Sequence, residues 1–373
     1  MPVPHYQVVI AGAGPGGCAA AIRLRQQGRE VAIIDQVDDK KLKVGESIPG
    51  AAIRLLRSLG MNTLDELLPE TAFEACVANR SAWGSEQWTY TDALRNPEGG
   101  GWHVLRHQFD AALRKRAVEA GVYFYYGKVG TVTNENKHTV RFKSQKPDLP
   151  EAITADWIID ATGRAGAVIR QLGIERERFE PQMAAVCWLH PQIGDEDRTT
   201  TIKSVKNGWW YTSRLPDGSR VLSFHSLPET VAKMVKDPLQ YLNEANTAQI
   251  INYSLHPSHI LQGIAARDAG VSKAQQVAGS DWFAVGDAAL SFDPLSSQGI
   301  FFALYSGLKA ADAILSTQSG DINAIENYQQ QVDSVFKANQ RSRAYFYNAE
   351  RRFLGEGYWG LRLRSAPVRP EST

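Results

Sequence analysis

"YQVVIAGAGPGGCAAAIRLRQQGREVAIIDQ" (Tyr6–Gln36) decides the fold. Residues Gln7 to Ala11 make a short apolar run, the pattern of a buried parallel strand. Gly12, Gly14 and Gly17 follow in GxGxxG spacing, with Pro15 and Gly16 inside the turn. "CAAAIRLRQQG" then carries small and apolar residues at helical spacing and stops at Gly28, a C-cap residue. "EVAIID" is a second buried strand that ends on Asp35. Each glycine has a task. Gly12 permits the tight turn, Gly14 lets the backbone approach a pyrophosphate, and Gly17 lets the helix lie close to the strand. The free N–H groups of the helix N-terminus face the phosphates. Asp35 stands 18 residues beyond Gly17, where a carboxylate takes the ribose hydroxyls. This predicts a βαβ dinucleotide-binding unit. It does not choose between NAD and FAD.

The chain has 373 residues, which favours two domains over one core. Lys plus Arg number 41 against 40 Asp plus Glu, so no large basic field suggests nucleic acid. Cys18, Cys76 and Cys187 are odd in number and lack CxxC spacing. That disfavours a disulfide framework and a zinc site and fits a reducing compartment. No apolar run approaches the ~20 residues of a membrane span, and the N-terminus lacks a basic leader. The expectation is a cytoplasmic protein with no membrane, nucleic-acid or metal partner.

Residues 181–227 change character. "MAAVCWLH", "RTTTIKSVKNGWWYTSRLP" and "DGSRVLSFHS" are rich in β-branched and aromatic residues, separated by the turn signals "KNG" and "PDG". They predict an antiparallel sheet, to which "RSAWGSEQWTYTDAL" (Arg80–Leu94) contributes. Trp83, Trp88, Trp209, Trp210 and Tyr211 either line an aromatic pocket or, for most of them, pack the core. "WHVLRHQFDAALRKRAVEAG" (Trp102–Gly121) reads as a helix with Arg106 near its start. After Asp321 the chain reads as helical. From Lys337 onward there are eight basic residues (Lys337, Arg341, Arg343, Arg351, Arg352, Arg362, Arg364, Arg369) against three acids (Glu350, Glu356, Glu371). They form either a solvated helix face or a docking surface for an acidic partner.

The second informative stretch is "DWFAVGDAALSFDPLSSQGI" (Asp281–Ile300). An apolar strand ends in Gly286-Asp287, and a small-residue segment leads into a helix starting near Ser297 to Gly299. It resembles the late Gly-Asp segment of hydroxylase-type FAD proteins. In those the Asp bonds the ribityl chain and the helix N-terminus points at the flavin ring. The partial positive charge of that terminus favours a reduced, anionic flavin. "ADWIIDATGRAG" (Ala155–Gly166) matches a strand passing under the dinucleotide, and "KVGESIPGAA" (Lys43–Ala52) matches the loop beside the flavin, with helix capping as the alternative for Glu46 and Ser47.

Taken together, the chain resembles the FAD-dependent monooxygenases related to para-hydroxybenzoate hydroxylase and the flavin halogenases. It is most similar to the LodB/GoxB-like flavoproteins that mature the cysteine tryptophylquinone of amino-acid oxidases. "KVGESIPGA", "GWWYTSRLP", the 266–300 segment and "RAYFYNAERRFLGEGYW" carry the likeness. It implies an α/β fold: a Rossmann-like FAD-binding domain (1–80, 101–180, 264–322), an antiparallel substrate sheet (81–100, 181–263) and a C-terminal helical region (323–373). The implied cofactor set is Gly12, Gly14, Pro15, Gly16, Gly17, Asp35, Glu46, Ser47, Arg106, Val129, Asp160, Gly163, Gly286, Asp287, Pro294, Ser297, Gly299 and Ile300. For Arg106 a solvated helix-end charge is the alternative.

The implied chemistry is transfer of one oxygen of O2 to an electron-rich ring, here a protein tryptophan in the precursor of a quinone-bearing amino-acid oxidase. Glu46 and His225 are the candidates for proton handling, with a surface carboxylate and a sheet-face imidazole as the plain alternatives. NAD(P)H or a reductase would supply electrons. Halogenases carry a lysine where this chain has Glu74, and two tryptophans where it has Tyr211 and Ser213. Both departures imply oxygenation without halogenation. The rival expectations are a flavin monooxygenase or reductase for a free aromatic or isoprenoid, and an FAD-binding maturation chaperone without turnover.

Overall fold

The computed structural model describes residues 3–38, 42–93, 99–134, 137–144, 150–355 and 357–364. The chain opens with β1 (His5–Ala11), α1 (Pro15–Gln26) and β2 (Val31–Asp35). β3 (Ser47–Ile48) and α2 (Ala52–Ser58) follow, then β4 (Phe73–Ala75), β5 (Ala78–Ala82), β6 (Thr89–Asp92) and β7 (Trp102–Val104). α3 (Arg106–Glu119) leads to β8 (Tyr123–Asn134), β9 (His138–Ser144) and β10 (Ala152–Asp160). Next come β11 (Arg176–Arg178), β12 (Met183–Leu189), β13 (Thr200–Val205), β14 (Gly208–Arg214) and β15 (Arg220–Ser226). α4 (Pro228–Lys236) and α5 (Pro238–Ala248) precede β16 (Ile260–Asp268), β17 (Ser272–Ala274), β18 (Trp282–Ala284) and β19 (Leu290–Ser291). The chain ends in α6 (Gly299–Gln318), α7 (Ala324–Ala349) and α8 (Gly357–Arg364).

Two sheets organise the α/β fold. β1, β2, β10 and β18 run parallel at the centre of the first. Their side chains are buried on both faces, as continuous apolar strands require. α1 lies against α6 and α3. The second sheet has the order β16-β12-β15-β14-β13-β5-β6. It is antiparallel except where β13 runs parallel to β5. Period-2 alternation gives it two working faces. Ala185, Cys187, Leu189, Leu222 and Phe224 pack on α4 and α5. Ala184, Val186, Val221, Ser223 and His225 face the other way, toward the first sheet's helices.

Several expectations need correction. Residues 102–104 are a strand, because their N–H and C=O groups pair with β3 and β4, and the helix starts at Arg106. The boundary placed at 264 falls inside β16, which keeps pairing with β12 to Asp268. The boundary at 80/81 falls inside β5. Residues 94–98, in the segment assigned to the substrate sheet, lie outside the described residues. α6 is long and apolar enough to cross a membrane, yet its apolar side chains pack against α1, α2 and α7 in the core.

The C-terminal cations are not simply a solvated face or a docking surface. Arg343 and Arg362 turn inward to Glu180, and Arg352 pairs with Glu350 and Glu86. Lys337, Arg341 and Arg351 are exposed. Arg369, Glu356, Glu371 and the side chain of Arg364 lie outside the described residues.

The seven-stranded sheet is fastened by a buried bidentate pair. Arg220 reaches Asp195 through Nε (2.9 Å) and a terminal nitrogen (2.6 Å). Asp195→Ala leaves that guanidinium buried without its carboxylate, with the Asp197 carbonyl (3.0 Å) still accepting from it, and the expected loss is ~3–5 kcal/mol. Glu119→Ala removes only surface pairs, with an expected loss below ~1 kcal/mol. Chemical denaturation of both variants checks this; equal losses would contradict it.

Candidate active site

A cavity of about 360 Å³ lies between the two sheets' domains. Its first wall is the N-terminus of α1, with Gly14, Pro15 and Gly16. An ideal Cβ on Gly14 would meet nothing within 4 Å, so this backbone is open to a ligand. A Cβ on Gly12, which sits at φ +106°, would overlap the Ala161 carbonyl, and one on Gly17 would overlap the Gly12 carbonyl. The glycines therefore do what their spacing implies: two permit contact between backbones and one leaves an opening.

The second wall is the segment from Gly286 to Ile300. Gly286, at φ +55°, donates its N–H to Ser306 Oγ (2.8 Å). Asp287 turns its carboxylate to the cavity, 3.5 Å from Arg164 Nε. Burial raises its carboxyl above the usual range, against the pull of Arg164, Arg176 and Arg106. Pro294, Ser297, Gly299 and Ile300 line the lip where α6 begins. Ser297 holds a left-handed conformation (φ 48°), and Gly299 again has open space at its Cβ position. Two helix N-termini thus open on one cavity, and both favour negative charge there.

The third wall joins the loop 43–48 to the substrate sheet. Glu46 is 3 % exposed and its Oε1 accepts from Tyr211 OH and from Ser213 Oγ (3.0 Å). Its Oε2 accepts from Gly45 N–H (3.0 Å). Tyr211 OH also lies 3.0 Å from Ser47 Oγ and 3.1 Å from Ser213 Oγ. Burial and the Glu46 charge push the Tyr211 phenol far up, so it stays a neutral donor. Neither Glu46 nor Ser47 caps α2, whose N-terminus at Ala51 has no side-chain cap. Arg106 lines the cavity and donates to the carbonyls of Val44 (2.8 Å) and Gly45 (3.0 Å). Asp110 holds Arg106 and Lys43 together (3.2 and 3.0 Å). Burial works against its charge, but the two cations outweigh burial and keep its carboxyl below the usual range.

The remaining sequence candidates divide between the cavity, which takes Gly163 and His225, and its surroundings, which take Asp35, Asp160 and Val129. Gly163 lines the cavity, but Asp160 does not. Both Asp160 oxygens are taken locally, by Thr162 N–H and Oγ and by the N–H groups of Val168 and Ile169 (2.6–2.9 Å). It shapes the turn after β10 and has no lone pair facing the cavity. Asp35 ends β2 and accepts from Ala13 N–H (2.7 Å). Val129 sits on β8 opposite Phe142, beyond the cavity lining. His225 lines the cavity, stacks on Trp209 (3.8 Å, 5°) and shares Nε2 with Ser223 Oγ (2.8 Å). Burial pulls its imidazolium down to about 3, so it is neutral at pH 7 and is not an acid there. Of the five aromatic pocket candidates only Tyr211 lines the cavity. Trp83, Trp209 and Trp210 pack in aromatic clusters, and Trp88 stacks under Arg80.

The sequence reading missed Ala184, Val186, Val221, Ser223, Arg164, Arg267, Asp268 and Asp293, which also line the cavity. Once His225 was singled out, strand alternation would have supplied Ser223 and Val221 on the same face. For Asp293 and Asp268 no spacing signal exists.

Asp287→Ala removes a cavity carboxylate, and FAD retention is expected to fall about ten- to a hundredfold. Glu74, ion-paired with Arg214 at 2.7 Å, does not line the cavity. Glu74→Ala is expected to leave FAD affinity within about twofold. Equal losses in a flavin-fluorescence titration would contradict the Asp287 assignment.

Comparison with known proteins agrees with this geometry. Over 369 residues the chain is 23% identical to the putative FAD-dependent oxidoreductase LodB of Marinomonas mediterranea, covering 96% of each. It is 24% identical to a tryptophan 2-halogenase of Chondromyces crocatus, covering 92% of this chain and 70% of that one. Among solved structures, the halogenase CndH superposes with a TM-score of 0.83 at 21% identity, covering 96% of this chain and 86% of that one. QhpG, a peptidyl tryptophan dihydroxylase essential for tryptophylquinone cofactor biogenesis, superposes at 0.78 and 24% identity, covering 96% and 78%. These likenesses share one fold, and the open glycine backbone and paired helix N-termini fit FAD. The model of the FAD binding domain family matches residues 5–338, and the chain belongs to that family of FAD-dependent oxidoreductases.

Proposed function

We propose that this protein is a monooxygenase that hydroxylates a tryptophan side chain within a partner polypeptide, as a step in building a tryptophylquinone cofactor. What carries the reading is the junction of the cavity's walls, where the Tyr211 and Ser213 hydroxyls donate to a buried carboxylate and Ser47 bonds Tyr211 in turn; Glu74, matched by resemblance to the halogenase lysine, is ion-paired with Arg214. Full-length similarity to LodB and to QhpG supports the same direction.

The reaction inserts one oxygen of O2 into an indole C–H bond and releases the other as water, with two electrons from a donor. Reduced FAD bound in the cavity would supply the oxygen-activating chemistry. The chain's own residues do the rest. Gly14 and Gly16 at the α1 N-terminus bind phosphate. Asp35, at the end of β2, and Asp287 would hold sugar hydroxyls of the cofactor, and Arg106 fixes the 43–48 loop through the Val44 and Gly45 carbonyls. The α6 N-terminus at Gly299 stabilises negative charge on the reduced cofactor. Ala184, Val186 and Val221 exclude water from the reacting face. Glu46 is the proton acceptor as the ring carbon rearomatises. Tyr211 and Ser213 hold its Oε1 in place, and Ser47 extends the hydroxyl chain. His225, neutral and stacked on Trp209, is a positioning group on the sheet face.

The test is co-expression with a precursor amino-acid oxidase that carries an unmodified tryptophan. With this chain present the precursor is expected to gain oxygen by intact mass and to acquire quinone absorbance. Without it, neither should occur. A precursor that matures equally well alone overturns the proposal. So does a chlorinated or brominated product when halide is supplied with reduced FAD and oxygen, which would move the chain to the halogenases.

A further inference from the structure

The seven-stranded sheet ends in β6 on one side and β16 on the other. Among the described residues no strand pairs with the outer edge of either. The two edges differ in what they adjoin. No residue of β6 lines the cavity, whereas β16 runs directly into it: Arg267, Asp268 and Ala269 are part of the lining.

Register fixes which backbone groups of β16 are free. Ala269 donates its N–H to the Gln182 carbonyl at 3.0 Å. In the same antiparallel register Arg267 lies opposite Ala184 and Ala265 opposite Val186. Alternation along an antiparallel ladder then turns the N–H and C=O of 265 and 267 toward β12, and those of Ala266 and Asp268 outward; N-terminal to Ala265 the register with β12 shifts. The Ala266 carbonyl takes only the guanidinium of its neighbour Arg267, at 3.0 Å. Residues 261–263, 266 and 268 are exposed.

Exposed edges are normally blunted by charge, proline, a β-bulge or a covering element; β16 shifts register with β12 N-terminal to Ala265 and is regular from there to Asp268. From Ile260 to Ala266 this edge reads Ile-Leu-Gln-Gly-Ile-Ala-Ala, with no charge and no proline. Its two charges stand at the cavity end. α4 crosses β12, β15 and β16 on the sheet, and the edge stays exposed.

We propose that the free edge of β16 docks the extended main chain of the polypeptide substrate, which adds to the sheet as an eighth strand and delivers one side chain to the cavity. This rests on the polypeptide-substrate reading above. Main-chain pairing supplies affinity without demanding a sequence, and the cavity supplies the choice of side chain. From Ala265 to Asp268 the regular edge spans about 10 Å, at ~3.3 Å per residue. A free amino acid has no use for such an edge.

The test uses fluorescein-labelled acetyl-(Thr-Lys)2-Trp-(Glu-Thr)2-amide and the FAD-loaded protein, read by fluorescence anisotropy. Ala266→Pro removes an outward N–H that has no partner, at a position where an edge strand tolerates proline. Its melting temperature and FAD content are expected to match the parent, and its peptide affinity to fall at least tenfold. As a second measurement, the peptide is N-methylated at alternate residues in the two possible registers. One register should lose binding and the other keep it. No peptide binding at millimolar concentration, equal affinity in Ala266→Pro, or equal affinity of the two methylated peptides overturns the proposal. A dimer that Ala266→Pro dissolves, without peptide binding, overturns it in favour of self-pairing. Because the readout is binding, a protein that docks peptide and matures no precursor separates this inference from the functional one.

Discussion

The architecture depends on places where no Cβ can stand. A side chain on Gly12 or Gly17 would overlap a backbone carbonyl, and one on Gly307 would overlap the carbonyl of Gly16. Through these contacts α1 lies directly on the β1 turn, and α6 lies directly on α1. Backbone-to-backbone packing of this kind is short-ranged, and one methyl group on either side would open it. It aims the N-termini of two helices at the same cavity from two directions. Peptide dipoles therefore add to the positive potential of Arg106, Arg164 and Arg267, which also line the cavity. Strands β1 and β10, which carry the turns below, are parallel neighbours and move with the same sheet.

The seven-stranded sheet is the counterpart of that rigid half, and the link between them is small and polar. Glu46 comes from the loop after β2, and Tyr211 and Ser213 from β14. A buried carboxylate with three donors is satisfied only while the two halves keep their spacing. The Asp110–Arg106–Lys43 cluster holds the loop from its other side. Cavity wall and domain alignment thus use the same atoms: a shift that misaligns the sheet takes the Tyr211 and Ser213 hydroxyls away from Glu46.

Much of this was legible in the sequence because it is local. The Gly12–Gly17 turn, the Asp35 strand end and the Gly286-Asp287 segment each write their geometry into consecutive residues. The seven-stranded sheet was legible from β-branched alternation and from the turns "KNG" and "PDG". What escaped is long-range. Asp160 has the strand-end position of a cofactor ligand, but its oxygens are spent on the turn that follows, and no spacing rule reveals that competition. His225 carries the residue type of a proton carrier, yet burial beside Trp209 removes its charge. The strand Trp102–Val104 was hidden because its partners, residues 47–48 and 73–75, are distant in sequence.

The C-terminal arginines show the same lesson in energetic form. A run of cations on a helix usually means solvent. Here Arg362 is 2 % exposed, pairs with Glu180 at 3.2 Å and lies 3.5 Å over the Tyr358 ring. Burying such charges is costly unless each finds partners, and the partners reach the cavity lip. Tyr347 donates to Asp293 at 2.8 Å, Arg343 stands 3.5 Å from the same carboxylate, and Asp293 in turn accepts from Leu295 N–H at 3.0 Å. Asp293 lines the cavity at the start of the segment that carries Pro294, Ser297 and Gly299. Asn339 adds a hydrogen bond to Gln298 at 3.2 Å. The last helices therefore clamp the loop that sets the position of the α6 N-terminus. A buried ionic network resists small displacements more steeply than an apolar contact does, because a carboxylate drawn away from its cations is left charged in a poor solvent. That steepness holds the start of α6 in place, and it makes α7 and α8 the support behind the cavity lip.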